Sequence, residues 1–342
     1  MSEKLFLTTL SGKKSQQTPI WLMRQAGRYL EEYRAIRAVQ KNFIEFCLNP
    51  QQASTVTLQP ITRYNLDAAI IFSDILMVPW AMNLNVRFKA GIGPLLDPLE
   101  QPDMIDSNSL NNLTEKLAPV GEAIKLTSRS LPKDTALIGF AGAPWTLITY
   151  IAEGRSSRDF MKARLWAWQD KKKLDGLLEL LTEATISFLS LQANAGAECL
   201  MLFDSWAGVV PAAHRDWLII KPTNAIIQGL RKNGHSQPII GFPKGFGEML
   251  ITYAEESGVD AISLDHSINP RWASEHLPKK LPVQGNLDPL SLISAGKEMF
   301  RDIDYILESF HDRPHIFNLG HGIIPATPVE NVQIMIDYIR NG

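Results

Sequence analysis

Short continuous apolar runs recur along the chain. Each is followed by a turn signal and then by a longer segment whose apolar residues return at helical spacing. The runs occupy residues 20–23, 68–72, 136–140, 199–203, 238–241, 261–264, 281–284 and 315–319. Strands buried on both faces show unbroken apolar runs rather than alternation, and helical segments between them imply parallel crossovers. Eight such units predict an α/β chain folded as one (β/α)8 TIM barrel. Mixed apolar and charged faces predict helices over 28–39, 50–64, 110–130, 171–193, 212–233 and 247–257.

Two stretches interrupt this rhythm. Residues 85–98, with Gly91, Gly93 and Pro94, read as a hairpin insertion, and residues 144–168 supply helical material beyond one crossover. No Ser/Gly-rich or charged linker divides the chain, so residues 1–342 are expected to form one domain, with 1–17 a flexible start. That start mixes Lys4, Lys13 and Lys14 with polar residues, which does not suit a secretory signal.

Composition narrows the function classes. With 34 Lys+Arg against 36 Asp+Glu, the net charge is −2, so no global field draws in nucleic acid or an anionic membrane. The most apolar stretch, 68–82, is broken by Asp74 and Pro79 and is too short for a bilayer span. A cytoplasmic protein is expected. Two cysteines, Cys47 and Cys199, cannot build a disulfide framework or a thiolate zinc site, and their apolar neighbours suggest inert core thiols.

A barrel carries its ligand at the C-terminal ends of the strands, so the residues leaving each run are the candidates. They include Arg24, Gln25 and Arg28; Ser73 and Asp74; Asp204 and Ser205; Lys244; Asp265 and His266; Asp288; and His321. Arg24 and Arg28 would share a face if a helix began near Arg24. They suit an anion clamp, since guanidinium forks match carboxylates, or else an ion-paired surface. Asp74, enclosed by apolar sequence, must be hydrogen-bonded, paired or functional, and a helix N-cap is the structural alternative. His321 lies between Gly320 and Gly322, where an imidazole is accessible. Tyr150 reads as a core aromatic by spacing alone. Lys244 suits a Schiff-base lysine or, more ordinarily, a surface one. Asp204, Asp265 and Asp288 suit a divalent metal or three helix caps.

At Pro19-Ile-Trp-Leu-Met-Arg-Gln-Ala-Gly-Arg-Tyr-Leu and Gly139-Phe-Ala-Gly-Ala-Pro-Trp-Thr-Leu-Ile-Thr-Tyr-Ile-Ala-Glu-Gly the chain resembles the uroporphyrinogen decarboxylase family. Ile70-Ile-Phe-Ser-Asp-Ile-Leu, Phe203-Asp-Ser-Trp-Ala-Gly and Asn318-Leu-Gly-His-Gly-Ile extend the likeness in the family's order. The resemblance implies removal of carbon dioxide from the four acetate side chains of uroporphyrinogen III, giving coproporphyrinogen III, without metal or organic cofactor, in a homodimer. It also implies that Arg24 and Arg28 engage substrate carboxylates and that Asp74 contacts the central pyrrole NH groups. Tyr150, Ser205 and His321 would be further polar ligands or catalytic contributors, with Gln25, Ala26 and Phe140 lining the cleft. Asp204 and Trp206 stand where many relatives carry glutamate and histidine. Two other readings are a corrinoid or thiol methyltransferase on the same barrel, which binds zinc through His-x-Cys, and a non-catalytic tetrapyrrole carrier. Neither cysteine here follows a histidine by two positions.

Overall fold

A computed structural model describes residues 4–89 and 91–342. Its strands are β1 (Ala68–Ile70), β2 (Arg87–Lys89), β3 (Gly93–Leu95), β4 (Ala136–Gly142), β5 (Cys199–Asp204), β6 (Ile239–Pro243), β7 (Ala261–Ser263), β8 (Val283–Gln284) and β9 (His315–Ile316). Seven of them form one parallel sheet in the order β1-β4-β5-β6-β7-β8-β9, while β2 and β3 pair antiparallel as the insertion between β1 and β4. Phe88 of that hairpin packs on Phe43 of the helix Phe43–Cys47, ring centroids 4.4 Å apart.

The sheet has seven strands where eight runs were predicted. The first run, 20–23, is not a strand. Ile20 makes a single parallel bridge to Phe317, with Trp21 N donating to Phe317 O and Phe317 N to Pro19 O. On its other side Asp67 N donates to Ile20 O at 2.9 Å. The ladder stops there for a local reason. The next two amides, of Leu22 and Met23, are taken by side chains, Gln25 Oε1 at 3.1 Å and Asn318 Oδ1 at 3.0 Å. The segment therefore lies between β9 and β1 without extending either ladder.

Alternation along the strands divides inside from outside. Phe140, Phe203 and Phe242 stack edge to face at 5.5 and 5.9 Å, linking β4, β5 and β6 on one face. The neighbouring Gly139 turns the other way, where a Cβ would come within 2.7 Å of Gln192 Oε1 on the helix Lys171–Ala195. Gln192 is fully buried, and its amide accepts from Phe140 N and donates to Phe140 O, both at 2.8 Å. The long helices carry their own stop signals. Pro50–Tyr64 is capped by the Asn49 side chain and ended by left-handed Asn65; Lys171–Ala195 is capped by Asp170 and ended by Gly196.

The start of the chain also departs from expectation. Leu5–Leu10 is a helix with Phe6 and Leu10 in the core, so residues 5–10 are held by apolar burial, while residues 11–17 are mostly exposed. Residues 1–3 lie outside the described residues. Among those described, no helix is long and apolar enough to cross a membrane.

Candidate active site

The C-terminal ends of the strands bring most of the candidate residues together. Arg24 and Arg28 are the first correction. The helix begins at Glu31, so the two arginines lie on the preceding loop and share no helical face. Arg24 adopts a left-handed φ of 61°. A Cβ at Gly27 would sit 2.8 Å from Arg24 O, so only glycine lets the loop fold back there. Gln25 pins this loop: its side chain accepts from Leu22 N and donates to Ala68 O on β1, and the residue is fully buried. Gln25 therefore braces the site and presents no side chain to the cleft. The Arg24 side chain runs across Gly322, where a Cβ would come within 2.7 Å of its Cγ.

Asp74 leaves β1 on a turn. Its Oδ1 accepts from Leu76 N at 2.9 Å, a local turn bond two residues on; the short helix Met77–Ala81 has Leu76 as its N-cap and no side-chain cap, so Asp74 is not the helix cap weighed as its structural alternative. That single bond leaves most of its acceptor capacity free, and no ion pair joins it to Arg24 or Arg28. Burial pushes its carboxyl up to about 6, with the Leu76 amide and the Arg24 guanidinium pulling the other way.

Tyr150 sits on the helix Pro144–Glu153 and is nearly buried. Burial raises its hydroxyl pKa most; the Trp206 indole and Arg24 lower it, and the Asp74 charge raises it. Asp74, Arg24 and Trp206 thus all neighbour Tyr150. Ser205 and Trp206 follow β5, and Thr146 Oγ1 holds their turn by donating to Asp204 Oδ1 at 2.6 Å and accepting from Trp206 N at 3.2 Å. Burial pushes the Asp204 carboxyl up to about 7, and the Thr146 bond opposes this. Phe140 and Ala26 contribute apolar wall, the former nearly buried and the latter half-buried.

His321 follows β9. Its Nδ1 accepts from Gly322 N at 2.7 Å, which leaves the ring proton on Nε2. Burial lowers its pKa to about 4, helped by the charges of Arg24, Lys244 and His266. At neutral pH it is a neutral donor, not an imidazolium. Lys244, a strand-end candidate read from sequence as a Schiff-base lysine or, more ordinarily, a surface one, is half-buried at the end of β6 with Nζ 5.8 Å from the Trp206 ring. Its strand-end position marked it, but its meeting with Trp206 depends on which loops face one another, for which sequence offered no signal.

The three strand-end aspartates considered for a metal are each used locally. Asp204 binds Thr146, Asp265 accepts from Gly245 N, Ser267 N and the Ser267 hydroxyl, and Asp288 accepts from Leu290 N. Among the described residues no group of three His, Cys, Asp or Glu side chains converges. Cys199 opens β5 at the opposite end of the sheet, and Cys47 closes the helix Phe43–Cys47; burial raises both thiols well above their usual value.

This arrangement defines an α/β protein whose strand C-terminal ends gather arginines, a lysine and a nearly unpartnered carboxylate, Asp74. Comparison with known proteins makes the class particular. The sequence profile of the family described as Uroporphyrinogen decarboxylase (URO-D) matches residues 1–342. Proteins named uroporphyrinogen decarboxylase from Sphingopyxis alaskensis and Rhodospirillum rubrum are 46% and 45% identical, covering 100% and 99% of this chain and 99% and 97% of their own. A solved methyltransferase from Methanosarcina mazei superposes with a TM-score of 0.79 at 17% identity, over 98% of this chain and 97% of its own, which is a likeness of fold. The chain belongs to the uroporphyrinogen decarboxylase family.

Proposed function

We propose that this chain decarboxylates the four acetate side chains of uroporphyrinogen III to coproporphyrinogen III in tetrapyrrole biosynthesis, acting as a carboxy-lyase. The observation that carries the reading is Asp74: a carboxylate without an ion-pair partner, raised to about 6 and still ionised at neutral pH, at the mouth beside Arg24 and Tyr150. The substrate has four pyrrole NH donors around one centre and eight carboxylates around its edge. A central acceptor ringed by cations complements it.

The chemistry needs an electron sink. Protonation of a pyrrole carbon makes the ring cationic; the bond between the acetate methylene and its carboxylate then breaks, carbon dioxide leaves, and the electron pair enters the ring. A proton next adds to the exocyclic methylene to give methyl, and loss of the ring proton restores the pyrrole. The net change consumes one proton and releases one carbon dioxide per acetate. Ionised Asp74 stabilises the cationic ring in a site that excludes water, and fixed charges of this kind are worth about 10²- to 10³-fold in rate. Arg24 and Arg28 hold carboxylates. His321, neutral with its proton on Nε2, donates a hydrogen bond, as do Tyr150 and Ser205, while Gln25, Ala26 and Phe140 shape the loop and wall.

The same reading closes the sheet into an eight-staved barrel, with 19–23 as the stave between β9 and β1, and takes residues 1–342 as one domain. The two buried free thiols support a reducing, cytoplasmic setting. Exposed Met161, Leu165 and Trp168, at helical spacing on Met161–Gln169, support a homodimer. Purified protein incubated anaerobically with uroporphyrinogen III and a chelator should yield coproporphyrinogen III, measured by chromatography of the oxidised porphyrins. Unchanged substrate, or activity that vanishes with the chelator, would refute the reading.

A further inference from the structure

Lys244 is the cation at the mouth for which the proposed chemistry has given no task. Its backbone is tightly fixed. Lys244 N donates to Asp204 O at 3.1 Å, Gly208 N donates to Lys244 O at 2.9 Å, and Gly245 N donates to the buried Asp265 carboxylate at 2.7 Å. A Cβ at Gly208 would sit 2.9 Å from Gly245 O, so the loops after β5 and β6 are pressed together beneath the lysine. A flexible surface lysine has no such foundation.

The ammonium itself is left unpaired. Among the described residues no carboxylate lies within ion-pair distance of Lys244 Nζ, and no protein acceptor takes its protons. Half-buried ammonium groups are ordinarily paired, because desolvating a bare charge is unfavourable. Around it lie the face of the Trp206 ring, 5.8 Å away, and His321, whose pKa the Lys244 charge lowers. The Trp206 indole N–H faces the Tyr150 hydroxyl, which ties this ring to the residues around Asp74. An ammonium with no carboxylate partner, held over an indole ring at the mouth, makes a receptor for an anion.

Its place around the sheet gives it a partner. In the order from the segment bearing Arg24, through β1, β4 and β5, β6 comes next and lies midway before the return through β7, β8 and β9. Lys244 thus stands across the mouth from Arg24 and Arg28. We propose that Lys244, with Trp206 beneath it, is a second carboxylate subsite that receives a side-chain carboxylate of the tetrapyrrole on the edge opposite the arginine pair. Two opposed anchors fix both the position and the rotation of the macrocycle over Asp74, which a single clamp cannot do. The subsite rests on the decarboxylase reading above.

The test is a steady-state comparison of Lys244→Met, Lys244→Arg and Arg28→Ala, each checked by thermal unfolding. Losing one charge-assisted contact corresponds to a rise in KM of about tenfold or more. Lys244→Met should show that rise with kcat within about threefold of the parent, and Lys244→Arg should restore KM. Measuring inhibition by coproporphyrinogen III, which keeps the four propionates and no acetate, identifies the group held: a weakened inhibition constant in Lys244→Met assigns a propionate, and a parental one assigns an acetate. A parental KM in Lys244→Met with a raised KM in Arg28→Ala would overturn the subsite and leave the decarboxylase reading standing. A parental KM in both would overturn the assignment of the whole mouth.

Discussion

At the N-terminal end of the sheet, Asp67, Glu198 and Asp260 each stand one residue before a strand, and each carboxylate accepts a backbone N–H from the neighbouring chain segment. The donors are Ile20 N at 2.7 Å, Leu137 N at 3.1 Å and Ile239 N at 2.8 Å. Each also meets a cation: Arg340 at 3.6 Å, Lys4 at 2.5 Å and Arg231 at 2.7 Å. At the C-terminal end, among the described residues, Asp74 has one backbone donor and no ion pair, and Arg24, Arg28 and Lys244 pair with no carboxylate. The chain thus neutralises charge where it only joins strands and leaves it open at the end where the proposed substrate would bind. Open charge weakens the fold, so one end is built for stability and the other for binding at stability's expense.

Removing the Asp74 charge separates these roles most sharply. Asp74→Asn keeps an oxygen for Leu76 N, and kcat should fall by about 10²- to 10³-fold in the anaerobic assay. Stability should move the other way. With a carboxyl near 6 in the fold against an ordinary 3.8, the unfolded chain ionises first as pH rises, so this group subtracts stability between those values and stays unfavourable above. Asp74→Asn should therefore be more stable at pH 7.5, by up to about 2 kcal/mol from a shift of about two units, as read by urea denaturation. The parent's kcat/KM should rise with pH up to about 6 and level off, and the variant should lose that limb. A less stable variant with normal turnover would make Asp74 a structural turn residue and nothing more.

At the opposite end, Asp260→Ala removes the acceptor for the Ile239 amide along with the half-exposed pair to Arg231. Leaving a buried N–H unsatisfied costs about 1 to 3 kcal/mol, while the exposed pair adds little. Denaturation should show a loss of about 2 kcal/mol with kcat and KM within about twofold of the parent. A kinetic defect as large as the stability defect would mean that the two ends are mechanically coupled.

How much of this contrast the sequence carries depends on the physics involved. Strands β4 to β7 were readable because burial on both faces demands unbroken apolar runs, and the hairpin because Gly91, Gly93 and Pro94 punctuate it. The helices Lys297–Ser309 and Val329–Asn341 went unpredicted although Met299, Ile303 and Ile306, and Val332, Met335, Ile336 and Ile339, carry the helical period. Residues 20–23 misled because an apolar run does not reveal that Gln25 and Asn318 will intercept its amides. In the site, strand-end position marked Arg24, Arg28, Asp74 and His321. Tyr150 came only through family resemblance, since a helical tyrosine between apolar residues looks like core. Lys244 and Trp206 were illegible as a pair because their meeting depends on which loops the closing sheet presses together.

The smallest effect concerns His321, and it tests whether the open end is one electrostatic unit. Its pKa near 4 against an ordinary 6.5 means that the unfolded chain takes up the proton first as pH falls, so His321 adds stability above about 6.5 and loses it toward 4. Asp74 does the reverse over nearly the same interval, so the two largely cancel in the parent. His321→Gln keeps a donor but cannot titrate. From pH 4 to 6.5 its stability should fall relative to the parent by about 1 to 2 kcal/mol, allowing for solvent screening of a half-buried ring. Asp74→Asn over the same range should gain. Parallel curves for His321→Gln and the parent would show that His321 keeps its ordinary pKa and that the cations of the mouth do not act on it as a group.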